Sequence, residues 1–262
     1  MATTTSVLGR PLWYELMTTD KSGAETFYKP VVGWTTQAFD GAGMPYDMWT
    51  RTDGTPTGGV LTMPDDLRSM KVPPFWAMYI GVDKLEAAAS RVKELGGSTV
   101  TEIITVPNVG RMQMVKDPQG ASFYLYEPAN PPQSADEWGR LGDASWLELY
   151  TTDNEATMRF YGELFGWKPT ESMDMGAMGV YRMFGRSSQS IGGMMTKTPD
   201  MAHVPTTWII YFRVPDVQAA AEKIKSLGGQ MVMGPMEVPG GSWVLQGKDP
   251  QGGHFALHHM KA

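Results

Sequence analysis

The chain carries one sequence pattern twice. Residues 13–20, WYELMTTD, return as residues 146–153, WLELYTTD, at an offset of 133. Further along, residues 116–120, KDPQG, return letter for letter as residues 248–252, at an offset of 132. A register shared over two half-chains predicts a duplicated module, and each copy is long enough to enclose a core of its own.

Composition and charge limit the partners that this chain can have. With 42% hydrophobic and 19% charged residues, the 262-residue chain has an ordinary globular composition. The formal net charge of −6 disfavours nucleic acid, because binding to that polyanion rests on a basic surface. No apolar stretch approaches the roughly 20 residues that span a bilayer. The sequence therefore predicts neither a nucleic-acid nor a membrane partner.

The expected compartment follows from two simple features. Residues 1–6 lack the basic flank and the apolar core of a signal peptide. The chain contains no cysteine, which excludes disulfides, thiolate nucleophiles and Cys-ligated zinc. We expect a cytoplasmic protein.

Each copy reads as a βαβββ pattern that occurs twice. In the first copy, Asp20 is expected to cap a helix that Gly33 ends, and Asp83 to cap a second helix. Residues 64–74 are expected to form a loop, and the Asp-Pro-Gln-Gly segment a tight hairpin turn. The predicted domains are a first module at residues 1–128, a proline-rich linker at 129–143 and a second module at 144–262.

These patterns together resemble a known superfamily. Four βαβββ units, a Phe-Tyr…Gly-Trp helix end, a Leu-Gly-Gly helix stop and an Asp-Pro-x-Gly hairpin are typical of the vicinal oxygen chelate superfamily. That superfamily includes glyoxalase I, bleomycin-resistance proteins, extradiol dioxygenases and fosfomycin-resistance enzymes. The tandem arrangement is similar to bacterial two-module glyoxalase-like proteins. The resemblance implies an α+β fold with two tandem glyoxalase/bleomycin-resistance-like modules, each a curled mixed sheet cup with helices outside.

The resemblance also implies where a metal would be held. Metalloenzymes of the superfamily take His and Glu ligands from the first and last strands of each βαβββ unit. The corresponding positions here are Trp13, Ala77 and Tyr124 in the first copy, Trp146, Ile209 and Ala256 in the second, and the stretches 57–63 and 189–196. Neither stretch contains His, Asp or Glu, and only the phenol of Tyr124 offers a donor at all. We therefore expect no metal and no other cofactor.

Two carboxylates and two imidazoles are the candidate catalytic groups. Glu15 and Glu148 take the same place in the two copies, where an apolar setting would suit them to acid–base work. The alternative is a structural glutamate that backbone amides or a neighbouring tyrosine satisfy. His254 and His258 share one face of the last strand, about 13 Å apart, which is too far for one metal. They are equally compatible with an ordinary surface position.

Aromatic residues repeat between the copies and are candidates for ligand binding. A wall of such side chains can stack against a flat ligand, although core packing explains the same residues. The candidate ligand-binding residues are Trp13, Trp146, Trp76, Trp208, Tyr124, Tyr126 and Met17.

The sequence therefore predicts a metal-independent protein that binds a small, largely apolar or aromatic metabolite or drug. Whether a carboxylate also acts on the ligand by acid–base catalysis stays open. One alternative is a metal-dependent glyoxalase-type lyase or dioxygenase with ligands drawn from Glu148, His254 and His258. Another is a non-enzymatic protein that sequesters its ligand, as bleomycin-resistance proteins do. The expected assembly is a monomer or a homodimer.

Overall fold

The computed structural model describes residues 6–132 and 138–260. Residues 133–137, which belong to the predicted linker, lie outside this range. The first copy contains β1 (Pro11–Thr18), α1 (Lys21–Val32), β2 (Thr35–Ala38), β3 (Tyr46–Thr50), β4 (Pro56–Thr62), α2 (Asp65–Ser69), β5 (Phe75–Gly81), α3 (Leu85–Glu94), β6 (Ser98–Thr99), β7 (Ile104–Val106), β8 (Gly110–Lys116) and β9 (Ser122–Pro128).

The second copy repeats this order, except that within its described residues it has no α-helix equivalent to α2 and has one strand in place of β6 and β7. Its elements are β10 (Ala144–Thr151), α4 (Asn154–Phe165), β11 (Lys168–Asp174), β12 (Val180–Gly185), β13 (Gly192–Thr196), β14 (Thr207–Arg213), α5 (Val217–Ser226), β15 (Gln230–Glu237), β16 (Trp243–Lys248) and β17 (His254–His259). Across the residues that the structure describes, each helix is too short or too polar to cross a bilayer.

Both sheets are mixed, which confirms the α+β fold with βαβββ units. The strand order is β2-β3-β4-β1-β5-β9-β8-β6 in the first sheet, where β7 also pairs with β8, and β11-β12-β13-β10-β14-β17-β16-β15 in the second. The first strand of every βαβββ unit lies parallel to the last one, as in the pairs β1/β4, β5/β9, β10/β13 and β14/β17. The hairpin partners within each unit are antiparallel.

The described residues divide into two compact units that do not follow the sequence copies. One unit contains residues 6–12, 78–132 and 147–208. The other contains residues 13–77, 138–146 and 209–260. Each unit therefore combines half of the first copy with half of the second, while the division into modules at 1–128 and 144–262 stays a prediction.

Helix ends follow the local chemistry of the sequence. The Asp20 carboxylate accepts a hydrogen bond from the Gly23 N–H at the start of α1, and Gly33 ends the helix with φ +91°. Residues without a Cβ adopt this left-handed conformation without strain. Pro30 lies in the last turn, where it removes only one N–H donor.

Two local predictions were wrong. Asp83 does not cap α3, because its carboxylate accepts hydrogen bonds from the Ser6 hydroxyl and the Val7 N–H instead. At that helix the Leu85 N–H donates to Glu127. Residues 64–74 are not all loop either, since α2 forms where acidic residues follow Pro64 and favour a helix N-terminus.

Aromatic side chains fill the core of both compact units. In one, Tyr28 packs against Trp76 with ring centroids 5.4 Å apart, and Trp34 stacks on Trp49 at 5.2 Å. In the other, their counterparts Tyr161 and Trp208 lie 5.3 Å apart, and Trp167 stacks on Phe184 at 4.7 Å. The two clusters therefore bury aromatic residues that occur at equivalent positions of both copies.

A polar chain runs through the cluster around Tyr28. The Trp76 Nε1–H donates to the Tyr28 hydroxyl over 3.1 Å, and that hydroxyl donates to Asp249 Oδ2 over 3.0 Å. Asp249 Oδ1 accepts the N–H groups of Gln251 and Gly253 inside the predicted hairpin. Burial, and then the charge of Asp249, raise the pKa of Tyr28 well above its usual range. Tyr28 therefore keeps the proton that it donates.

The same chain exists in the other unit. Trp208 Nε1–H donates to the Tyr161 hydroxyl at 3.0 Å, and the latter donates to Asp117 Oδ2 at 3.2 Å. In both cases the tyrosine belongs to the first helix of one copy and the aspartate to the hairpin of the other. Two identical hydrogen-bonded chains thus join the copies.

We expect Tyr28→Phe to lower the free energy of unfolding by about 2–4 kcal/mol, because Trp76 Nε1 and Asp249 Oδ2 would both lose a buried partner. Urea denaturation followed by fluorescence measures the change. Tyr161→Phe should lower the free energy of unfolding by the same amount. Tyr126→Phe is the control, because its half-buried hydroxyl bonds only the Val109 carbonyl and its loss should cost about 1 kcal/mol or less. Equal effects for all three variants would contradict the role of the chain.

Candidate functional site

The first candidate carboxylate lies on β1. Glu15 is 7% exposed and shares its strand face with Trp13 and Met17, because side chains alternate along a strand. Directly opposite Glu15, on the parallel strand β4, is Gly59. The glycine leaves space above the backbone at this point.

A tyrosine occupies that space. The ring of Tyr46, on β3, lies where a Cβ of residue 59 would be, so any other side chain there would displace it. The Trp13 Nε1–H donates to the Tyr46 hydroxyl over 2.8 Å. Trp13, Glu15, Tyr46 and Gly59 thus form one group in this unit.

The second copy repeats the group. Glu148, 9% exposed, lies opposite Gly193 on β13, and the ring of Tyr181 occupies the space above that glycine. The Tyr181 hydroxyl donates to Glu148 Oε1 over 3.1 Å. Trp146 lies half-buried on the same strand face.

This arrangement suits a carboxylate that must stay in place and stay reactive. A hydrogen bond to an ionised oxygen is stronger than one between neutral groups and fixes the orientation of the acceptor. Surrounding aromatic surface lowers the local dielectric, which strengthens any interaction of the carboxylate with a ligand. Glu148 with Tyr181 can therefore bind a donor group or accept a proton.

The predicted tyrosines of the first copy lie together. Tyr124 stacks on Tyr79 with ring centroids 4.3 Å and planes 3° apart, and Tyr126 meets Tyr79 edge-on at 6.1 Å. Tyr126 donates to the Val109 carbonyl, and burial raises the pKa of its phenol. A stacked aromatic pair takes the position where the family resemblance expects a metal ligand.

Trp76 and Trp208 do not join the group around either glutamate. They are 8% and 6% exposed, and their Nε1–H groups bond Tyr28 and Tyr161 in the aromatic cores. Their place in the structure is that of core residues.

The two candidate histidines lie in the unit that does not contain Glu148. His258 is 9% exposed, and its Nδ1 lies 3.0 Å from the Ser145 hydroxyl. Burial, with smaller effects of Arg213 and His259, lowers the pKa of His258 to about 4. Burial and Lys248 lower the pKa of His254 to about 4 as well, and His254 Nε2 is buried without a hydrogen-bond partner among the described residues. Both imidazoles are neutral near pH 7.

The donor set does not fit a metal ion. Within residues 6–132 and 138–260, no three His, Cys, Asp or Glu side chains come close enough to hold one. The positions that correspond to the superfamily's ligands carry indole, methyl and phenol groups, and transition metals bind these poorly. Their chemistry suits contact with an apolar ligand or core packing better than coordination.

Sequence reasoning missed Tyr46, Tyr181, Gly59 and Gly193. A signal was present, since the tyrosines repeat at an offset of 135 and the Gly-Gly pairs that end in Gly59 and Gly193 at an offset of 134. Only the register of β1 with β4, and of β10 with β13, shows that each glycine faces a glutamate.

Acid should destabilise the fold through His258. A folded-state pKa of about 4 lies below the unfolded value of about 6.5, so this contribution to stability is complete above pH 6.5 and is lost as pH falls to 4. The loss amounts to about 3 kcal/mol. His258→Gln should flatten the dependence of unfolding free energy on pH between 6.5 and 4, as measured by urea denaturation. The exposed His203 provides the control, and an unchanged slope in His258→Gln would refute the assignment.

Comparison with known proteins places this site in context. The model of the Glyoxalase/Bleomycin resistance protein/Dioxygenase superfamily matches residues 10–125 and 144–257. The protein named "Putative glyoxylase CFP32" from Mycobacterium tuberculosis is 32% identical over 251 residues, 95% of this chain and 94% of the relative. The anthracycline biosynthesis protein DnrV from Streptomyces peucetius is 25% identical over 263 residues, 97% of this chain and 94% of the relative.

Solved structures share the fold at low identity. The Mn(II)-bound glyoxalase from Novosphingobium aromaticivorans matches with a TM-score of 0.65 and 13% identity, over 97% of this chain and 83% of that one. The 2,3-dioxygenase LapB from Pseudomonas sp. KL28 matches with a TM-score of 0.66 and 14% identity, over 99% and 94%.

Proposed function

The chain belongs to the Glyoxalase/Bleomycin resistance protein/Dioxygenase superfamily. We propose that it binds a small, planar aromatic molecule at Glu148 without a metal. In this proposal Glu148 accepts a hydrogen bond or a proton from the ligand. Tyr181 holds the carboxylate in position, and its own ring offers a surface on which a ligand ring can stack.

The observation that carries the proposal is the hydrogen bond from Tyr181 to Glu148 Oε1 above Gly193. A carboxylate that is nine-tenths buried is expensive to keep ionised unless it is hydrogen-bonded. The same Glu, Tyr and Gly occur at equivalent positions of the first copy. A group that is present twice supports a binding role better than a single buried acid does.

The chemistry proposed for the site is proton transfer. A carboxylate within hydrogen-bond reach of an acidic hydroxyl, or of a C–H next to a carbonyl, can take the proton and return it elsewhere on the ligand. Such a step needs no redox change and no metal. The metal-dependent alternative lacks support, because Glu148 does not lie with two further His, Cys, Asp or Glu side chains among the described residues.

The ligand class is proposed from the side chains and from one relative. An indole group accompanies each of Glu15 and Glu148 on its strand, and the thioether of Met17 also accompanies Glu15; both kinds of group favour flat, polarisable molecules. DnrV is named for anthracycline biosynthesis, and anthracyclines carry a fused ring system with hydroxyl groups. A hydroxylated polycyclic ring would present both an apolar face and a donor to Glu148.

Quinizarin, a hydroxylated anthraquinone, is a suitable probe. We expect Glu148→Gln to weaken its binding roughly tenfold, or about 1.4 kcal/mol, because the amide cannot accept a proton and is a weaker acceptor than the carboxylate. Fluorescence titration measures affinity, and circular dichroism checks the fold. Glu15→Gln is the matched control and should have a smaller effect.

Addition of EDTA to the wild-type protein should leave quinizarin binding unchanged. A Glu148→Gln protein that loses several kcal/mol of stability while its folded fraction binds normally would show that the glutamate is structural. Product analysis after long incubation separates proton-transfer chemistry from sequestration of an unaltered ligand.

Tyr181→Phe should reduce quinizarin affinity about three- to tenfold by releasing the carboxylate. Because Tyr181 acts through Glu148, the same change in the Glu148→Gln background should add little, and a double-mutant cycle should give a coupling energy of about 1 kcal/mol. Isothermal titration calorimetry on the four proteins measures this coupling. Tyr46→Phe with Glu148→Gln is the control pair, for which additive effects are expected. Additive effects for Tyr181 and Glu148 would argue against positioning.

A further inference from the structure

A groove of about 470 Å³ lies on the outer side of α4, in a single unit. Its apolar floor contains Met158, Gly162, Trp167 and Pro169, and Arg159 and Arg182 stand beside it. This volume is in the range of pockets that bind small molecules.

The first copy carries paired charged side chains at the equivalent positions. There Lys21 contacts Asp47, Lys29 bonds Glu25 at 2.9 Å, and the Thr36 hydroxyl bonds Glu25 at 3.4 Å. In the second copy the corresponding residues are Asn154 for Lys21, Met158 for Glu25, Gly162 for Lys29, Pro169 for Thr36 and Arg182 for Asp47. The network of charges is replaced by an apolar floor with one guanidinium beside it.

The equivalence of Asp47 and Arg182 rests on packing as well as on sequence. Two residues further along each strand, Trp49 stacks on Trp34 and Phe184 stacks on Trp167. The two strands are therefore in the same register over their helices. Comparison of the two copies thus shows which side chains differ at the groove.

The guanidinium of Arg182 has unused hydrogen-bonding capacity. Its Nη2 lies 3.4 Å from Glu155, while its buried Nε has no hydrogen-bond partner among the described residues. Arg159, one turn further along α4 than Glu155, is exposed and has no described ion-pair or hydrogen-bond partner. Glu163 on the opposite rim is already paired with Arg91. The groove therefore combines an apolar floor with Arg159, which has no described partner, and with Arg182, whose contact with the groove residue Glu155 leaves other N–H donors unused.

We propose that this groove is a second ligand site, which binds a small carboxylate attached to an apolar ring. A carboxylate can accept two parallel hydrogen bonds from one guanidinium, and the ring would lie over Met158 and Pro169. Adjacent residues of a strand point to opposite sides of a sheet, so Arg182 and Tyr181 serve opposite faces of β12. The groove is therefore separate from the Glu148 group.

Benzoate is the probe, and the methyl group of Met158 is the reporter in NMR spectra of protein labelled with ¹³C at methionine methyls. We expect benzoate to shift this signal in a saturable way. Benzyl alcohol, the neutral match, should bind at least tenfold more weakly, and inorganic phosphate should not reproduce the shift because it lacks a ring. These three titrations use the wild-type protein and do not depend on any variant folding.

Arg182→Gln should weaken benzoate binding at least tenfold. Arg182→Lys, which keeps the charge but loses the planar fork, should weaken it less, and Arg159→Gln should have a smaller effect than Arg182→Gln. Lys29→Gln, on the equivalent helix of the first copy, is the control and should change nothing. Benzyl alcohol binding as well as benzoate, a benzoate response unaffected by Arg182→Gln, or no saturable shift at Met158 would each overturn the proposal.

Discussion

The hydrogen bond from a buried tyrosine to a buried aspartate is the interaction on which the rest of this structure depends. It joins the first helix of each copy to the Asp-Pro-Gln-Gly hairpin of the other, through Tyr28 with Asp249 and through Tyr161 with Asp117. Each aspartate keeps its other oxygen for backbone N–H groups of its own turn. Because a buried donor or acceptor without a partner is costly, neither the helix nor the hairpin can change alone. The Phe-Tyr pair of the helix and the whole Lys-Asp-Pro-Gln-Gly segment accordingly occur in both copies.

Buried indole N–H groups also join the two copies, through the chain segment that precedes the first strand of each copy. Trp34 Nε1–H donates to the Gly142 carbonyl, and its counterpart Trp167 donates to the Gly9 carbonyl, both over 2.8 Å. Each tryptophan belongs to one copy and each carbonyl to the segment before the first strand of the other. The exchange of equivalent contacts accounts for compact units that each contain half of both copies.

With the framework held by these contacts, surfaces away from the aromatic cores were free to diverge. The glutamate, the tyrosine and the glycine beneath it occur in both copies, and the tyrosine hydroxyl is hydrogen-bonded in each, Tyr46 to Trp13 and Tyr181 to Glu148. On the outer helix face, the ion pairs around Glu25 give way to the groove around Arg182. In a duplicated chain, a comparison of equivalent positions shows where the two copies differ.

The sequence alone determined the duplication, the βαβββ order, the superfamily and the absence of His or Glu at the expected ligand positions, because these depend on local patterns and on register along the chain. It also identified Glu15 and Glu148, which repeat at one offset. Only the tertiary structure decided which copy supplies each partner, since the hydrogen bond of Tyr28 joins residues more than two hundred positions apart. It also placed Trp76 in the core rather than beside a glutamate, and it set Tyr181 above Gly193. Strand pairing decides which side chains face one another, and the pattern within one strand does not specify which distant strand it will pair with.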